Sequence, residues 1–555
     1  MTAQKVRRRS PWILVAAVGA VLALLVGVAV IVPQIQHRLA PDGSNHASAT
    51  TTTPPPAERL DVPGFDPAPE SLTLDLPDDD GSEPVTVSFD LPENAVRSGG
   101  AIGLSFDATE LANPQWGSAD SNLTLTLGEL DAPVLRFGGN GVDRRMWWTS
   151  SEEDAPDWAE ATVTPESLRA VERTAETIDA KVTLTLDLGH DDPARAADMA
   201  SYAQDIFGDR LLAVSIGNEP NGYFHENQPQ LAVRDSDWDP EAYQDSLRDY
   251  AEAVEQTAPE LPIAGPGAYD APWWRAFAEA GISDEAALTM HWYPLWDCSG
   301  PQGSIANPTV EDLTSPALRQ QAKIIIGMGK DVADEHDLPL WMEETGPTSC
   351  PGTNETSRTH AQALWTVDYA FSAMESGVSR LAFHSTLQSC SGGAPMSSIC
   401  ATGSLDSPGL IVEGRSSYLA LMQLAQMPEG QVLSPSTSGD GQISVHGVLT
   451  DDGALSIAIV DMRDPTEDSS TRTVQVSAPG GLPEGAPRAW ALSTGSKLGA
   501  ASLSAEESSL AAPAPIAGDL AAASLAPAEP ATIPSSPGEV ALLRFDQVTT
   551  TSDGT

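Results

Sequence analysis

The chain has 555 residues, and its 29 lysines and arginines stand against 78 aspartates and glutamates, a formal net charge of −49. A chain of this length is expected to form two or more domains. The acidic charge repels polyphosphate and no basic stripe offsets it, which excludes nucleic-acid binding. The apolar content of 41% and the 13 tryptophans exclude wholesale disorder, because they supply enough surface for a large core.

The N-terminus predicts a membrane anchor. Residues 12–32 form an uninterrupted apolar run of 21 residues, which as a helix matches the thickness of a bilayer. The basic flank in residues 1–11 is expected to stay in the cytoplasm, by the positive-inside rule. We therefore expect a single-pass cell-membrane protein with an extracellular catalytic part. A cleaved signal peptide, which would make the protein secreted, is the alternative.

Two separated regions have the alternating pattern of half-buried strands. Residues 33–67 are rich in Thr, Ser, Pro and Ala and predict a disordered linker. Alternation then begins within residues 68–97 and returns within residues 411–548, before a short tail at 549–555. We expect both regions to build one β-sandwich domain. Its Ala/Pro/Ser-rich part, residues 498–538, is expected to be partly without regular structure.

The region between them, residues 98–410, alternates short apolar runs with helix-like stretches such as 240–257 and 359–376. This order predicts an α/β fold, a (β/α)8 TIM barrel that is catalytic. A doubly wound sheet is the alternative, but no glycine-rich dinucleotide fingerprint supports it. Eight runs predict the barrel strands: 102–109, 133–140, 182–189, 211–219, 261–267, 288–295, 338–346 and 379–386.

Four cysteines, Cys298, Cys350, Cys390 and Cys400, lie within about one hundred residues of each other. Their even number is typical of an oxidising compartment and predicts two disulfides. The sequence leaves the pairing open, and we expect Cys298 with Cys350 and Cys390 with Cys400. Their spacing is not that of zinc ligands, so we predict no metal site.

Two acidic strand ends are the candidate catalytic groups, because barrel enzymes place them at the carboxyl ends of strands. Glu219 follows Asn218 at the end of the fourth run, and Glu343 and Glu344 end the seventh. Two carboxylates across a barrel mouth suit glycoside hydrolysis, one as acid and one as nucleophile. A single strand-end glutamate could equally be a solvated residue. Strand alternation with Leu338, Leu340 and Met342 inward predicts that Glu344 faces the mouth and Glu343 faces the helices or the rim.

Other side chains near these strand ends could contact a sugar. Asn218 is placed to bond the 2-hydroxyl beside the reacting carbon. His291 and Tyr293 alternate on the sixth run, so both could face the pocket, although a core histidine is the alternative. Tryptophans after strand ends predict saccharide subsite walls, while core packing explains each one singly. These tryptophans are Trp116, Trp147, Trp148, Trp273, Trp274, Trp292 and Trp296.

Six segments in this order carry a family resemblance: IGLSFDA (102–108), LRFGGNGVD (135–143), SIGNEPN (215–221), HWYP (291–294), WMEETGPTSCPG (341–352) and ALWTVDYAFSAMESGVSRLAFH (363–384). Across roughly residues 70–548 the chain resembles the family 79 glycoside hydrolases, the heparanase and β-glucuronidase group within clan A. The resemblance implies a barrel with a β-sandwich built from both chain ends. It also implies a retaining double displacement.

Carried over to this sequence, the resemblance assigns the acid/base to Glu219 and the nucleophile to Glu344. The implied substrate-binding residues are Asn218, Asp107, Asn140, His291, Tyr293 and Trp292. Asp107 stands where the family has glutamate, which is a departure at the distal sugar contacts. The resemblance implies no metal or organic cofactor, because two carboxylates and water complete the reaction.

The acidic charge of the chain restricts the classes of substrate that it can bind. The acidic chain lacks basic patches for a sulfated polyanion, which argues against heparan sulfate. A uronic acid needs a local cation, and Arg136, Arg144 and Arg145 are candidates, although the last two could simply offset neighbouring acids. We predict an extracytoplasmic retaining β-glycosidase that is β-glucuronidase-like. The alternatives are a retaining β-glycosidase for a neutral sugar and a non-catalytic cell-envelope glycan-binding protein.

Overall fold

The computed structural model describes residues 62–74, 83–226, 229–296, 308–349, 354–479, 487–494, 497–499, 508–517 and 530–546. The predicted membrane segment, residues 12–32, and most of the predicted linker lie outside these residues. Among the helices that are described, none combines the length and the apolar character needed to cross a bilayer.

Eight parallel strands form a closed barrel. All eight predicted apolar runs contribute one strand each, which confirms the barrel and excludes the doubly wound sheet. We number these barrel strands 1 to 8 in chain order: Ile102–Asp107, Val134–Gly138, Lys181–Leu186, Leu211–Ile216, Ile263–Ala268, Glu285–Trp292, Leu340–Thr345 and Val378–His384. Strand 8 pairs with strand 1, from Leu381 with Ile102 to His384 with Ser105.

Helices follow most barrel strands and begin at clear sequence signals. Asp239 accepts hydrogen bonds from two backbone N–H groups ahead of the helix Pro240–Thr257, and proline occupies its first position. The predicted helix at 359–376 is observed as His360–Glu375. The α-helices of the described residues are Leu123–Gly128, Pro165–Thr177, Pro193–Phe207, Pro240–Thr257, Ala271–Ala278, Val310–Leu313, Pro316–Glu335, Asn354–Ser357, His360–Glu375 and Ser416–Ala425.

Two further sheets pack face to face as a β-sandwich. The larger sheet holds Phe65–Asp66, Leu72–Thr73, Gln431–Val432, Ile443–Leu449, Leu455–Asp461, Arg488–Ser493, Ser509–Ala517 and Val540–Phe545. The smaller sheet holds Val85–Asp90, Ser434–Ser438, Arg472–Ser477 and Ala531–Ser535. Side chains from both sheets, including Val87, Ile457 and Ile533, form one apolar core.

Both ends of the chain contribute to this sandwich, as predicted. Val85–Asp90 lies between Ser434–Ser438 and Arg472–Ser477, and its buried and exposed residues alternate strictly. Within residues 498–538, which were expected to be partly without regular structure, two stretches form strands, Ser509–Ala517 and Ala531–Ser535. Their alanine- and proline-rich sequence hid the alternation.

Charged side chains join the barrel helices to the sandwich. His446, on a sandwich strand, lies between two carboxylates of the helix His360–Glu375. Its Nδ1 is 2.6 Å from Glu375 Oε1, and its Nε2 is 3.1 Å from Asp368 Oδ1. Burial opposes the charged imidazole, but the two carboxylates raise the pKa of His446 to about 9. Arg319 also bonds Asp368, at 2.8 Å, so the contact is an ionic network.

A hairpin follows barrel strand 8. Ile399–Ser404 pairs antiparallel with Ser407–Gly414, and a disulfide joins Cys390 to Cys400. This bond confirms one predicted pair. The other predicted pair, Cys298 with Cys350, lies outside the described residues.

Candidate active site

The carboxyl ends of the barrel strands converge on Glu344. Arg136, on strand 2, donates from Nη1 to Glu344 Oε2 at 2.6 Å, and the Tyr293 hydroxyl donates to Oε1 at 2.8 Å. His384, the last residue of strand 8, brings Nδ1 to 3.5 Å from Oε1. The predicted pocket residue Tyr293 is therefore in the site, together with Arg136, which the sequence offered only as a cation for a uronate.

These contacts keep Glu344 ionised. Burial alone would raise the pKa of its carboxyl group. The approach of His384 and the electrostatic influence of His291 and Arg136 outweigh burial and hold the pKa of Glu344 well below its usual value. Burial, together with the charge of Glu344, raises the pKa of Tyr293 well above its usual value, so the phenol remains a hydrogen-bond donor. The arrangement suits an anionic nucleophile.

A β-bulge in barrel strand 7 turns both neighbouring glutamates inward. Met342 pairs with Met290 of strand 6, and the next partner pair is Glu344 with His291, so Glu343 is the extra residue. Ser215 on strand 4 donates to Glu343 Oε2 at 3.1 Å. Strands 4 and 7 are not neighbours, so this contact crosses the barrel interior.

The predicted alternation along strand 7 was therefore wrong. Glu344 nevertheless faces the mouth as expected, because of the bulge. Trp341 packs inside the barrel against alanines of strands 4, 5 and 6. Leu340, predicted to point inward, instead approaches Gly329 of a surrounding helix. Simple alternation from Trp341 would bring Glu343 inward and send Glu344 outward, and the bulge corrects this for Glu344.

Glu219 lies beyond the end of barrel strand 4, with its backbone in the left-handed region at φ 48°. Its Oε1 is 3.1 Å from Nδ1 of His291, so the imidazole of His291 lies beside this carboxylate. One carboxylate oxygen of Glu219 and one of Glu344 lie within 4.8 Å of each other. Glu219 keeps part of its side chain exposed, whereas Glu344 is nearly buried. The mouth thus presents one accessible and one enclosed carboxylate.

Asn218 has one end of its amide held and the other end free. Its Oδ1 accepts from Nη2 of Arg136 at 2.7 Å and from the backbone of Gly139 at 2.9 Å. Its Nδ2 is buried and, within the described residues, has no hydrogen-bond partner. A buried donor without a partner is costly, so this nitrogen is suited to bond a hydroxyl of a bound molecule.

Asp143 was not singled out by sequence reasoning, although it supports the loops of the site. Its Oδ1 accepts from the backbone N–H groups of Leu188 and Gly189 at 2.9 and 3.0 Å, and its Oδ2 accepts from that of Asn218 at 3.0 Å. Burial raises the pKa of Asp143 to about 7, and the charge of Asp187 adds to this shift. One carboxylate thus ties the ends of strands 3 and 4 together. Its position in the segment LRFGGNGVD was the available signal.

Two other predicted residues occupy the rim. Asp107 ends strand 1, and its Oδ2 accepts from the backbone of Gly141 and from Arg145, at 2.9 and 3.0 Å. Its carboxylate therefore braces the loop after strand 2. Asn140, in that loop, is exposed. Arg144 donates to backbone carbonyls of Leu231 and Gly222.

The tryptophan prediction is largely wrong. Trp292 lies on the opposite face of strand 6 from His291, with its ring 5.7 Å from that of Tyr369 on an outer helix. Trp147 is partly exposed, and the guanidinium of Arg195 lies over its ring, 3.7 Å from the ring centroid. The side chain of Trp296 lies outside the described part. The remaining predicted wall residues are buried in the packing: Trp116, Trp148, Trp273 and Trp274.

Glu219, His291 and Glu344 could in principle converge on a cation, since their ligand atoms lie within 4.8 Å of one another. The donor set fits a cation poorly. Arg136 already occupies Glu344 Oε2 at 2.6 Å, and its fixed positive charge opposes a second one at the same oxygen.

Comparison with known proteins identifies the fold. No protein-family model and no curated protein sequence matches the chain. Among solved structures, a 4-O-α-L-rhamnosyl-β-D-glucuronidase from Fusarium oxysporum 12S is similar with a TM-score of 0.61 and 17% identity, over 82% of this chain and 100% of its own. The GH51 arabinofuranosidase from Xanthomonas axonopodis pv. citri is similar with a TM-score of 0.60 and 14% identity, over 83% and 100%.

A third similar structure is CelM2, a bifunctional glucanase-xylanase from a metagenome library, with a TM-score of 0.56 and 13% identity over 84% of this chain and 99% of its own. At these identities the likeness establishes the shared fold, a parallel barrel with a β-sandwich. All three neighbours carry names of glycoside-cleaving enzymes.

Proposed function

We propose that this protein is a retaining glycoside hydrolase. The observation that carries the proposal is the pair Glu219 and Glu344, after barrel strand 4 and on barrel strand 7, with oxygens within 4.8 Å of each other. Retaining enzymes place their carboxyl groups about 5–5.5 Å apart, whereas inverting enzymes need about 6.5–9.5 Å to admit a water molecule. The names of the structural neighbours and the motif order support the same reaction class.

In the proposed mechanism, Glu344 attacks the anomeric carbon with a carboxylate electron pair. The bond from that carbon to the glycosidic oxygen breaks, and Glu219 transfers its proton to the departing oxygen. Water, deprotonated by Glu219, then displaces Glu344 and releases the sugar. Arg136 and Tyr293 hold Glu344 in its ionised form until it attacks, and Asn218 Nδ2 offers a hydrogen bond to the 2-hydroxyl.

For the sugar, we propose a β-glucuronide, because the motif order resembles the β-glucuronidase group and one structural neighbour is named a β-D-glucuronidase. A neutral sugar is the second candidate. It is favoured by two of the arginines near strand 2, because Arg136 bonds Glu344 and Arg145 bonds Asp107, so each already pairs with a carboxylate of the protein.

We also propose that residues 12–32 anchor the chain in the membrane with the folded part outside the cytoplasm. The apolar run, its basic flank and the disulfide Cys390–Cys400 support this placement. Flotation of the full chain with lipid vesicles tests it. Release of a shortened chain into the medium would instead indicate a cleaved signal peptide.

The decisive experiment is hydrolysis of aryl glycosides by the full chain, with a β-glucuronide compared against a xyloside, a galactoside and a glucoside. Glu344→Ala should abolish turnover of every substrate. Glu219→Ala should spare a 2,4-dinitrophenyl glycoside, whose leaving group needs no proton, and lose substrates with poor leaving groups. The first product should keep the substrate's anomeric configuration by NMR. Inversion, or equal losses in Glu219→Ala on both leaving groups, would contradict the mechanism.

A further inference from the structure

Tyr269 is exposed in a loop whose neighbours are buried. Barrel strand 5 ends at Ala268 and the next helix begins at Ala271, so the connection has two residues. Tyr269 is 51% exposed, whereas Ala268 and Trp274 are buried. Within the described residues, no other phenylalanine, tyrosine or tryptophan has an exposed side chain. Tyr269 is therefore an isolated aromatic surface at the mouth side of the barrel.

The loop that presents this ring is held in place from both sides. The indole nitrogen of Trp274 donates to the carbonyl of Ala268 at 2.8 Å. The backbone N–H of Trp273 donates to the carbonyl of Asp270 at 3.0 Å. These bonds fix the backbone before and after Tyr269, so contact of the ring with a ligand costs little backbone conformational freedom.

Tyr269 lies beside the proposed acid. The backbone N–H of Glu219 donates to the carbonyl of Gly267, two residues before Tyr269, at 3.1 Å. Desolvation by surrounding atoms raises the pKa of the Tyr269 hydroxyl to about 12, and the negative charge of Glu219 contributes in the same direction. The ring and the Glu219 carboxylate thus belong to one side of the mouth, whereas Tyr293 bonds Glu344.

We propose that Tyr269 is the platform for the leaving group, the part of the substrate beyond the cleaved bond. The proposal rests on the proposed function, because the acid must reach the glycosidic oxygen, and the group attached to that oxygen therefore lies on the acid's side. Aromatic side chains bind flat apolar faces. The occupant is a ring with such a face, either a second pyranose or an aryl group.

The test compares two substrates of the same sugar, a 2,4-dinitrophenyl glycoside and a glycosyl fluoride. Neither leaving group needs a proton, and only the first has a ring to stack. In Tyr269→Ala the ratio of kcat/KM for the aryl glycoside to kcat/KM for the fluoride should fall roughly three- to tenfold, the range expected for an aromatic contact. Tyr269→Phe, which keeps the ring, should have a ratio close to the parent's.

Two control variants distinguish loss of the ring from damage to the acid or to the fold. Glu219→Ala should leave the ratio unchanged, since neither substrate uses the acid, so a fall in Tyr269→Ala cannot come from a disturbed Glu219. Ile324→Ala, at an exposed helix position, should change neither substrate. An unchanged ratio in Tyr269→Ala overturns the platform while the glycosidase stands. A parent protein that cleaves neither substrate type for any sugar of the panel overturns the proposed function itself.

Discussion

Replacing Arg136 with methionine removes one of the groups that hold Glu344 ionised. The two side chains meet at 2.6 Å, and both are nearly buried. A hydrogen bond to a charged group contributes about 1.5–3 kcal/mol, and one pKa unit corresponds to about 1.4 kcal/mol. Since the burial that opposes ionisation remains, we expect the pKa of Glu344 to rise by roughly one to two units in Arg136→Met.

The pH dependence of kcat/KM measures this shift. Its acid limb reports ionisation of the nucleophile in the free enzyme. Because the folded state depresses the pKa of Glu344, the parent's limb lies below the usual range for a glutamate and moves to higher pH in Arg136→Met. Arg136→Lys keeps a positive charge without the forked contact to Asn218 and should shift the limb less. An acid limb that stays in place in Arg136→Met would refute the electrostatic role.

The same variant should lose stability. Removing one partner of a buried ion pair costs about 3–5 kcal/mol. The stabilisation by Glu344 is present above the pKa of an unfolded glutamate and is lost as pH falls through its depressed folded-state pKa. Thermal melting of the parent and Arg136→Met should therefore differ most near neutral pH and converge in strong acid. A constant difference across this range would contradict the assignment.

Three more predictions concern buried groups. Asp143→Ala leaves the backbone N–H groups of Leu188 and Gly189 without their acceptor, at about 1–3 kcal/mol each, so both Tm and kcat should fall; an unchanged kcat would contradict its positioning role. Glu343→Ala should lower Tm and retain far more kcat/KM than Glu344→Ala, and equal losses would contradict the choice of nucleophile. The charge of His446 stabilises fully below its ordinary pKa of 6.5 and is lost as pH rises through about 9. Tm should therefore fall across that window in the parent and less steeply in His446→Gln; parallel curves would contradict this.

Much of the fold could be predicted because the buried faces of strands and helices place apolar residues at regular intervals in the sequence. The eight barrel strands appeared as short apolar runs, and the alternation in Val85–Asp90 indicated a half-buried strand. Ser509–Ala517 escaped prediction because two of its four buried positions are alanines and its outward positions include two prolines, and these residues carry little strand signal. The strand periodicity can be recognised in a sequence only where large apolar side chains occupy the buried positions.

The candidate site was predictable in its membership and less so in its geometry. Glu219, Glu344, His291 and Tyr293 come together because strand ends of a barrel share one mouth. The bulge at Glu343 could not be anticipated, since it depends on pairing with both neighbouring strands. The prediction that the tryptophans line sugar subsites was wrong for a related reason. Residues at strand ends can face either the mouth or the helix layer, and sequence spacing alone does not distinguish these two faces.

The contribution of both chain ends to the sandwich determines when it can form during synthesis. Thr86 bonds Ser438, which lies 352 residues later in the chain. At about 5–20 residues per second, the strand Val85–Asp90 waits roughly 20–70 s after leaving the ribosome before its neighbour exists. All eight barrel strands are synthesised within that interval. The barrel can therefore assemble first. The sandwich forms last, when the late strands become available to pair with Val85–Asp90 from the beginning of the folded chain.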